Sequence, residues 1–274
     1  MKTRIKHSQV GIELIRRLAS EGDRIFSIER ARRLSPDVGL KPSYLTEALY
    51  HLRRDGWITR VRGGLYAISS SLPGIPPTHE FAIAMALVNP AAISHWSAMQ
   101  HHGMTQQIPK KVFVLTTTGR AIPRVRGQQE KESGYRIGEA IYQFVQVKPE
   151  RFFGIQKVWV AEARVNMTDP ERTLLDGLSM PQYCGGFGEV LHAFQLRHTQ
   201  LDHARIVDYA LRFDVATAKR LGWVLEQPGE EMPMLDPLLK LPATAYTKLD
   251  PTGPRAGTRN RRWMIQENLP GKVS

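Results

Sequence analysis

The sequence of 274 residues predicts an α+β protein. Two observations support this prediction. Residues 8–68 show three helical patterns followed by two short alternating runs around a Gly-Gly pair, and residues 112–167 hold β-rich runs that helices follow. Separate runs of strands and helices are typical of α+β folds rather than of alternating parallel ones. Hydrophobic residues make up 42% of the chain, which argues against a disordered protein.

Three helices are predicted in the first part of the chain. Ser8–Ser20 places apolar residues on one helical face, and Ile28–Leu34 follows Ser27, a residue suited to cap its N-terminus. A third helix opens near Pro42 and ends near Asp55. Its apolar face consists of Leu45, Ala48, Leu49 and Leu52.

A β-hairpin is predicted directly after the third helix. Trp57–Ile68 contains two alternating runs on either side of Gly63-Gly64, which is a strong hairpin signal. Three helices followed by a two-stranded hairpin is the order of a winged helix-turn-helix. We therefore expect such a domain in residues 1–72, with a Ser/Pro/Gly-rich linker at 73–77.

The rest of the chain predicts a larger mixed α+β domain, residues 78–246, with a helical C-terminal part. The predicted strands are Val112–Thr116, Ile141–Val147, Gln156–Glu162 and Arg164–Met167. The predicted helices are His79–Val88, Ile93–His102, one opened by Asp169 and Pro170, Phe187–Gln195, Asp202–Arg212 and Val215–Leu225. Residues 119–138 are interpreted as basic and irregular. A basic tail, residues 247–274, ends the sequence, with one more strand proposed at Trp263–Ile265.

The positive charge is concentrated at the two ends of the chain. The formal net charge is +12, of which residues 1–76 carry +7 and residues 247–274 carry +4, whereas residues 77–246 carry only +1. Charge that served solubility alone would scale with length. This distribution predicts a nucleic-acid partner for the N-terminal domain. The tail, Arg255–Arg262, either contacts phosphate or is a surface segment docked by Trp263 and Ile265.

The polar face of the third helix and the hairpin supply the candidate DNA-binding residues. From a major groove, the polar helix side chains can reach base edges or phosphates, while hairpin arginines meet the sugar-phosphate backbone. The predicted residues are Lys41, Ser43, Tyr44, Thr46, Glu47, Tyr50, Arg53, Arg54, Arg60 and Arg62. The alternatives are a merely solvated basic face and a winged helix that binds protein.

Other chemical motifs have simpler interpretations. His95 and His102 share a helical face, but no cysteine or spaced carboxylate completes a ligand set, so structural or surface histidines are favoured. Cys184–Gly188 lacks the lysine and serine of a phosphate-binding loop and is interpreted as a turn. Three carboxylates, Asp169, Glu171 and Asp176, fit capping and helix-surface roles. The sequence therefore predicts no catalytic residue, no metal and no cofactor, and a non-enzyme.

The single cysteine cannot form an intrachain disulfide, which suits a reducing compartment. No apolar run has the length of a signal peptide or a membrane span. We expect a cytoplasmic protein that does not associate with a membrane.

Three motifs in this order resemble the AbiEi family of type IV antitoxins and related transcriptional regulators. They are Gly56-Trp-Ile-Thr-Arg-Val-Arg-Gly-Gly-Leu-Tyr66, Ile93-Ser-His-Trp-Ser-Ala-Met-Gln-His-His-Gly-Met-Thr105 and Val165-Asn-Met-Thr-Asp-Pro-Glu-Arg-Thr-Leu-Leu-Asp176. The ending, with Leu249-Asp-Pro, Arg262-Trp-Met-Ile and Asn268, is similar too.

This resemblance implies an N-terminal domain that binds operator DNA and represses its own operon. It also implies a C-terminal domain that counteracts a nucleotidyltransferase-like toxin, by direct contact or otherwise. Because one winged helix reads a short site, we expect two copies on inverted repeats of double-stranded DNA. The alternatives are a regulator without a toxin and a nucleic-acid-acting enzyme that the winged helix targets.

Overall fold

The structure, a computed structural model, describes residues 2–69, 73–119, 134–227 and 232–269. The helices are α1 Lys2–Ser20, α2 Ile28–Leu34, α3 Leu45–Arg54, α4 Glu80–Leu87, α5 His95–His101, α6 Pro170–Ser179, α7 Phe187–Arg197, α8 His203–Leu211, α9 Val215–Glu226 and α10 Asp236–Leu239. The strands are β1 Ile25–Ser27, β2 Ile58–Arg62, β3 Leu65–Ile68, β4 Ala92–Ile93, β5 Val112–Thr116, β6 Tyr135–Ile137, β7 Ala140–Gln146, β8 Ile155–Val160, β9 Ala163–Thr168, β10 Thr247–Lys248, β11 Thr258–Asn260 and β12 Ile265–Glu267. The α+β prediction is confirmed.

The strands form three sheets, of which two are mixed. The first has the order β1-β3-β2 and is antiparallel throughout. The second has the order β6-β7-β5-β4-β9-β8, in which β4 runs antiparallel to β5 and parallel to β9. In the third, β12 lies between β10, which is parallel to it, and the antiparallel β11.

The chain divides into two compact units. Unit 1 comprises Met1–Pro90, Thr118–Gln143 and Trp159–Val165, and unit 2 comprises the remaining residues. The predicted domain limits after residues 72, 77 and 246 stay predictions. Within the segment interpreted as irregular, residues 120–133 lie outside the described ones, as do residues 70–72 before the proposed linker.

The core of unit 1 joins α1, α3 and the first sheet. Leu14, Ile15 and Leu18 of α1 are fully buried with Leu45 of α3, and Ile58 of β2 is 1% exposed. The predicted cap of α2 is present, because the Ser27 side chain accepts a hydrogen bond of 3.1 Å from the Arg30 amide.

The core of unit 2 surrounds α6. Leu174, Leu175 and Leu178 point inward as predicted and are fully buried. Asp169 caps the helix: its Oδ1 accepts a hydrogen bond of 2.8 Å from the Arg172 amide, and proline occupies the first helical position.

Three predicted elements need correction, and a further strand was missed. Helix α1 begins at Lys2 rather than Ser8, since no proline or glycine interrupts the polar residues before it. Ile93 belongs to β4 and not to a helix, because it pairs with Val114 and Met167. The last strand begins at Ile265 rather than two residues earlier. A strand was missed at Tyr135–Ile137.

Candidate nucleic-acid interface

All ten residues predicted to bind DNA have exposed side chains. On α3 the four apolar residues of the opposite face are buried, from Leu45 at 0% to Ala48 at 3% exposure. By contrast, Tyr44 is 46% exposed and Tyr50 54% exposed. The helix therefore presents a polar and aromatic surface while its leucines hold it on the core.

Local sequence determines where this surface begins and ends. Pro42–Tyr44 forms a 3-10 turn that leads directly into α3, so Ser43 and Tyr44 lie at the start of the helix. Gly56, with φ +79°, follows the C-cap Asp55 and takes the left-handed conformation that lets the chain turn away.

The cations of this surface differ in how they are compensated. Arg54 forms an ion pair of 2.8 Å with Asp55, and His51 Nε2 lies 3.8 Å from Glu47 Oε1. For Arg53, Arg60 and Arg62 no carboxylate of the described residues lies within 4.0 Å. Within the described ranges, the positive charge of these three side chains is therefore uncompensated, whereas that of Arg54 is partly offset.

The hairpin of β2 and β3 places two arginines around a β-bulge. Arg60 pairs with Tyr66 and Arg62 with Leu65, so Val61 is the additional residue of the bulged strand. Val61 is fully buried, whereas both arginines are exposed. The bulge thus holds two cations at the surface with an apolar anchor between them.

The tip of the hairpin is tied to the start of α2. Gly64, at φ +70°, accepts a hydrogen bond of 2.8 Å through its carbonyl from the Ile28 amide. Strand β3 also pairs with β1, with Leu65 opposite Ser27. The hairpin is short, and its contacts with the start of α2 and with β1 hold it on two sides.

Tyr135 is a residue of this region that the sequence patterns did not predict. Its hydroxyl donates a hydrogen bond of 2.9 Å to the carbonyl of Val61. Burial raises the pKa of the Tyr135 hydroxyl, and the positive charge of Arg60 acts against this rise. The sequence does contain a signal for this strand. The short run Tyr-Arg-Ile before Gly138, together with the strand that follows, is typical of a hairpin.

His95 and His102, the two histidines considered as metal ligands, both have hydrogen-bond partners within the protein. His95 is fully buried, and its Nδ1 lies 2.8 Å from the Ser94 hydroxyl. His102 Nε2 lies 2.8 Å from the carbonyl oxygen of Thr168. Burial lowers the pKa of both imidazoles. Among the described residues, no group of three His, Cys, Asp or Glu side chains is arranged to hold a metal ion.

The helix-surface interpretation of two carboxylates is wrong. Glu171 is 4% exposed and Asp176 1% exposed, since α6 is surrounded by other elements of its unit. Asp176 Oδ1 accepts a hydrogen bond of 2.9 Å from Nε of Arg172, which is itself 1% exposed. The third carboxylate, Asp169, accepts a hydrogen bond of 2.9 Å from the Tyr209 hydroxyl; burial and this bond raise the pKa of Tyr209 to about 12.

The glycine-rich segment after α6 is a turn, as predicted. Cys184 is fully buried, and Gly185 and Gly186 have φ angles of +78° and +99° before α7 begins. Burial raises the pKa of the Cys184 thiol well above its ordinary value. A raised pKa disfavours the thiolate, the form of cysteine that acts as a nucleophile.

The described part of the basic tail, residues 247–269, belongs to unit 2 and packs on its helix α9. Trp263 is 1% exposed and Ile265 fully buried, and Arg262 Nε donates to Glu226 Oε1 at 2.8 Å. Arg255 and Arg261 stay exposed. Docking is thus observed, and contact of the tail with phosphate stays a prediction.

These features define an α+β protein of two compact units, with an exposed polar helix and a bulged hairpin in the first. No helix in the described ranges has the length and apolar character needed to cross a membrane. Neither a protein-family model nor a curated protein matches the sequence.

A solved structure, that of the RV2827C protein from Mycobacterium tuberculosis, has a similar fold. The two superpose with a TM-score of 0.65 at 13% sequence identity, over 94% of this chain and 90% of that one. At this identity the likeness concerns the fold alone.

Proposed function

We propose that this chain is a cytoplasmic, sequence-specific DNA-binding transcriptional repressor with a winged helix-turn-helix in its N-terminal part. The observation that carries the proposal is the exposed polar face of α3, which lies in the same unit as a hairpin with two arginines free of carboxylate partners among the described residues. Helix α3 would enter the major groove, and the hairpin would follow the backbone.

The chemistry of the two parts predicts different contributions. Arginines that neutralise phosphates supply affinity that falls with salt, at about 0.9 in the slope of log affinity against log salt for each contact. Ser43, Thr46 and Glu47 can exchange hydrogen bonds with base edges, and such contacts discriminate between sequences. Affinity should therefore depend mainly on the arginines of the hairpin and of the end of α3, and specificity on the polar residues of α3.

The test is a gel-shift titration against the DNA upstream of the gene and against random DNA. Arg62→Ala should weaken both complexes, whereas Tyr44→Ala or Thr46→Ala should mainly reduce the preference for the upstream site. Arg16→Ala is the matched control, since this exposed arginine on α1 already pairs with Glu13 at 3.6 Å. If neither class of variant changes binding, the assigned surface is incorrect. A footprint with a single unrepeated half-site would contradict binding as two copies.

We further propose that the repressor is the antitoxin of a type IV system and counteracts a nucleotidyltransferase-like toxin. The support is the order of three motifs in the sequence, of which the second and third lie in unit 2 apart from the first residue of the third. Co-expression with a nucleotidyltransferase encoded by the neighbouring gene should restore growth that this toxin alone arrests. Continued arrest would leave a regulator without a toxin, and chemical turnover of nucleic acid by the pure protein would indicate an enzyme instead.

A further inference from the structure

Two tyrosines that face each other across a hairpin each donate to a main-chain carbonyl of a different element. Tyr135 on β6 is the cross-strand partner of Tyr142 on β7. The Tyr135 hydroxyl donates to Val61 on β2 at 2.9 Å, and the Tyr142 hydroxyl donates to Glu80, the first residue of α4, at 3.2 Å. All of these residues belong to unit 1. The hairpin thus touches the arginine-bearing strand through one phenol and α4 through the other.

The acceptor on β2 is the bulge residue. A bulge leaves its additional residue without a regular ladder partner, so the direction of the strand there depends on other contacts. Strand β2 is also the outer strand of the β1-β3-β2 sheet. The Tyr135 hydroxyl therefore gives Val61 a hydrogen bond from a strand outside this sheet.

Arg60 and Arg62 flank this residue directly. The backbone at Val61 sets the directions in which the two exposed side chains leave the strand. The positive charge of Arg60 also acts against the rise in the pKa of Tyr135. A rotation of the bulge would move both guanidinium groups together. Because Val61 is fully buried, loss of this hydrogen bond would also cost some stability, so folding has to be measured beside binding.

We propose that Tyr135 is a positioning residue for DNA binding: its hydrogen bond to the Val61 carbonyl fixes the bulge and so directs Arg60 and Arg62 at the phosphate backbone. This inference rests on the proposed DNA-binding function. It extends the DNA-binding part of the protein beyond residues 1–72 to a strand that follows more than 60 residues later in the sequence.

The experiment compares Tyr135→Phe with Tyr142→Phe in the full chain. Both substitutions remove one hydroxyl and one hydrogen bond to a main-chain carbonyl, from cross-strand partners of one hairpin. Tyr142 is fully buried and Tyr135 only partly, so Tyr142→Phe should cost at least as much stability as Tyr135→Phe. Urea titrations establish conditions in which both variants are folded. Fluorescence anisotropy with a labelled duplex of the upstream DNA, over a series of salt concentrations, then gives affinity and salt slope.

We expect Tyr135→Phe to lose between about threefold and tenfold in affinity and to reduce the salt slope by up to about 1.8, the value for two phosphate contacts. Tyr142→Phe should retain the parent's affinity and slope. The double variant Tyr135→Phe with Arg60→Ala should lose less than the product of the single losses, because both act on the same contacts.

Three results would overturn the inference. Equal affinity and salt slope for Tyr135→Phe and the parent would show that the Tyr135 hydroxyl does not position the bulge for DNA binding. Equal losses in both tyrosine variants would show a merely structural role, and full additivity with Arg60→Ala would separate Tyr135 from the arginines. If the parent does not bind DNA even at low salt, the proposed function itself fails and this inference with it.

Discussion

The indole of Trp263 lies directly against the backbone of Gly222 on α9. A methyl group at residue 222 would overlap three carbons of the indole ring. The indole nitrogen donates to Glu226 Oε2 at 2.5 Å, one turn further along the same helix. The segment around Trp263 is therefore fixed to α9 by a close ring-to-backbone contact, for which residue 222 must be glycine.

Gly222→Ala should destabilise the protein by about 1–3 kcal/mol or more, the range for added volume in a packed core. Gly188→Ala is the control: it also lies on a helix, α7, and a methyl group there meets nothing within 4 Å. This change should be neutral or slightly stabilising, since alanine favours helices. The midpoint of urea unfolding measures both, and equal midpoints would contradict the packing.

For the buried pair of Arg172 and Asp176, removing one partner should cost more stability than replacing both. Asp176→Ala leaves the arginine uncompensated in the interior and should cost about 3–5 kcal/mol, whereas replacing both residues with apolar ones should cost much less. As a control, Asp202→Ala removes one partner of an exposed pair with Arg205, 3.2 Å apart, but also the cap of α8, so a loss of about 1 kcal/mol is expected. A similar loss for Asp176→Ala would show that water reaches the pair.

Stability should fall as the pH drops below about 6.5, the ordinary pKa of histidine. Burial lowers the pKa of His102 in the folded state, so the unfolded chain binds its proton first and is favoured as the pH falls. The stabilisation is complete above the unfolded pKa and is lost towards the lower folded one.

His102→Gln retains a donor for the Thr168 carbonyl and should reduce this pH dependence between about pH 5 and 7. Part of it should remain, because burial also lowers the pKa of His95 and His79. Burial raises the pKa of Asp169, so protonation of this carboxylate stabilises the folded state as the pH falls further. Parent and variant are therefore compared at each pH. Urea midpoints at several pH values give the slope. An unchanged slope in the variant would exclude His102 as its source.

The neighbouring arginines at the end of α3 should contribute unequally to DNA affinity. Arg53→Ala should weaken binding more than Arg54→Ala, because Asp55 already compensates part of the Arg54 charge. Asp55→Asn should in turn strengthen binding and steepen the salt slope, since it removes a negative charge close to the phosphates. Anisotropy titrations on random DNA measure all three. Weaker binding by Asp55→Asn would place this end of the helix away from the backbone.

Local patterns were sufficient to predict most of the elements and the polar face of α3. The leucine spacing in Leu45–Leu52 predicts which side is buried, because a helical period relates residues three and four apart without reference to the rest of the chain. Ser27, Asp169 and Gly64 act through neighbours in the sequence, and their predicted roles as caps and turn residue agree with the structure.

Only the tertiary structure decided the features that depend on distant partners. Glu171 and Asp176 have the polarity of surface residues, and only the packing around α6 buries them. The contact of Tyr135 with Val61 joins residues 74 positions apart, and that of Trp263 with Gly222 joins two elements of unit 2. Sequence periodicity records the environment of one element, whereas burial of a charge or support of a bulge depends on which other element lies against it.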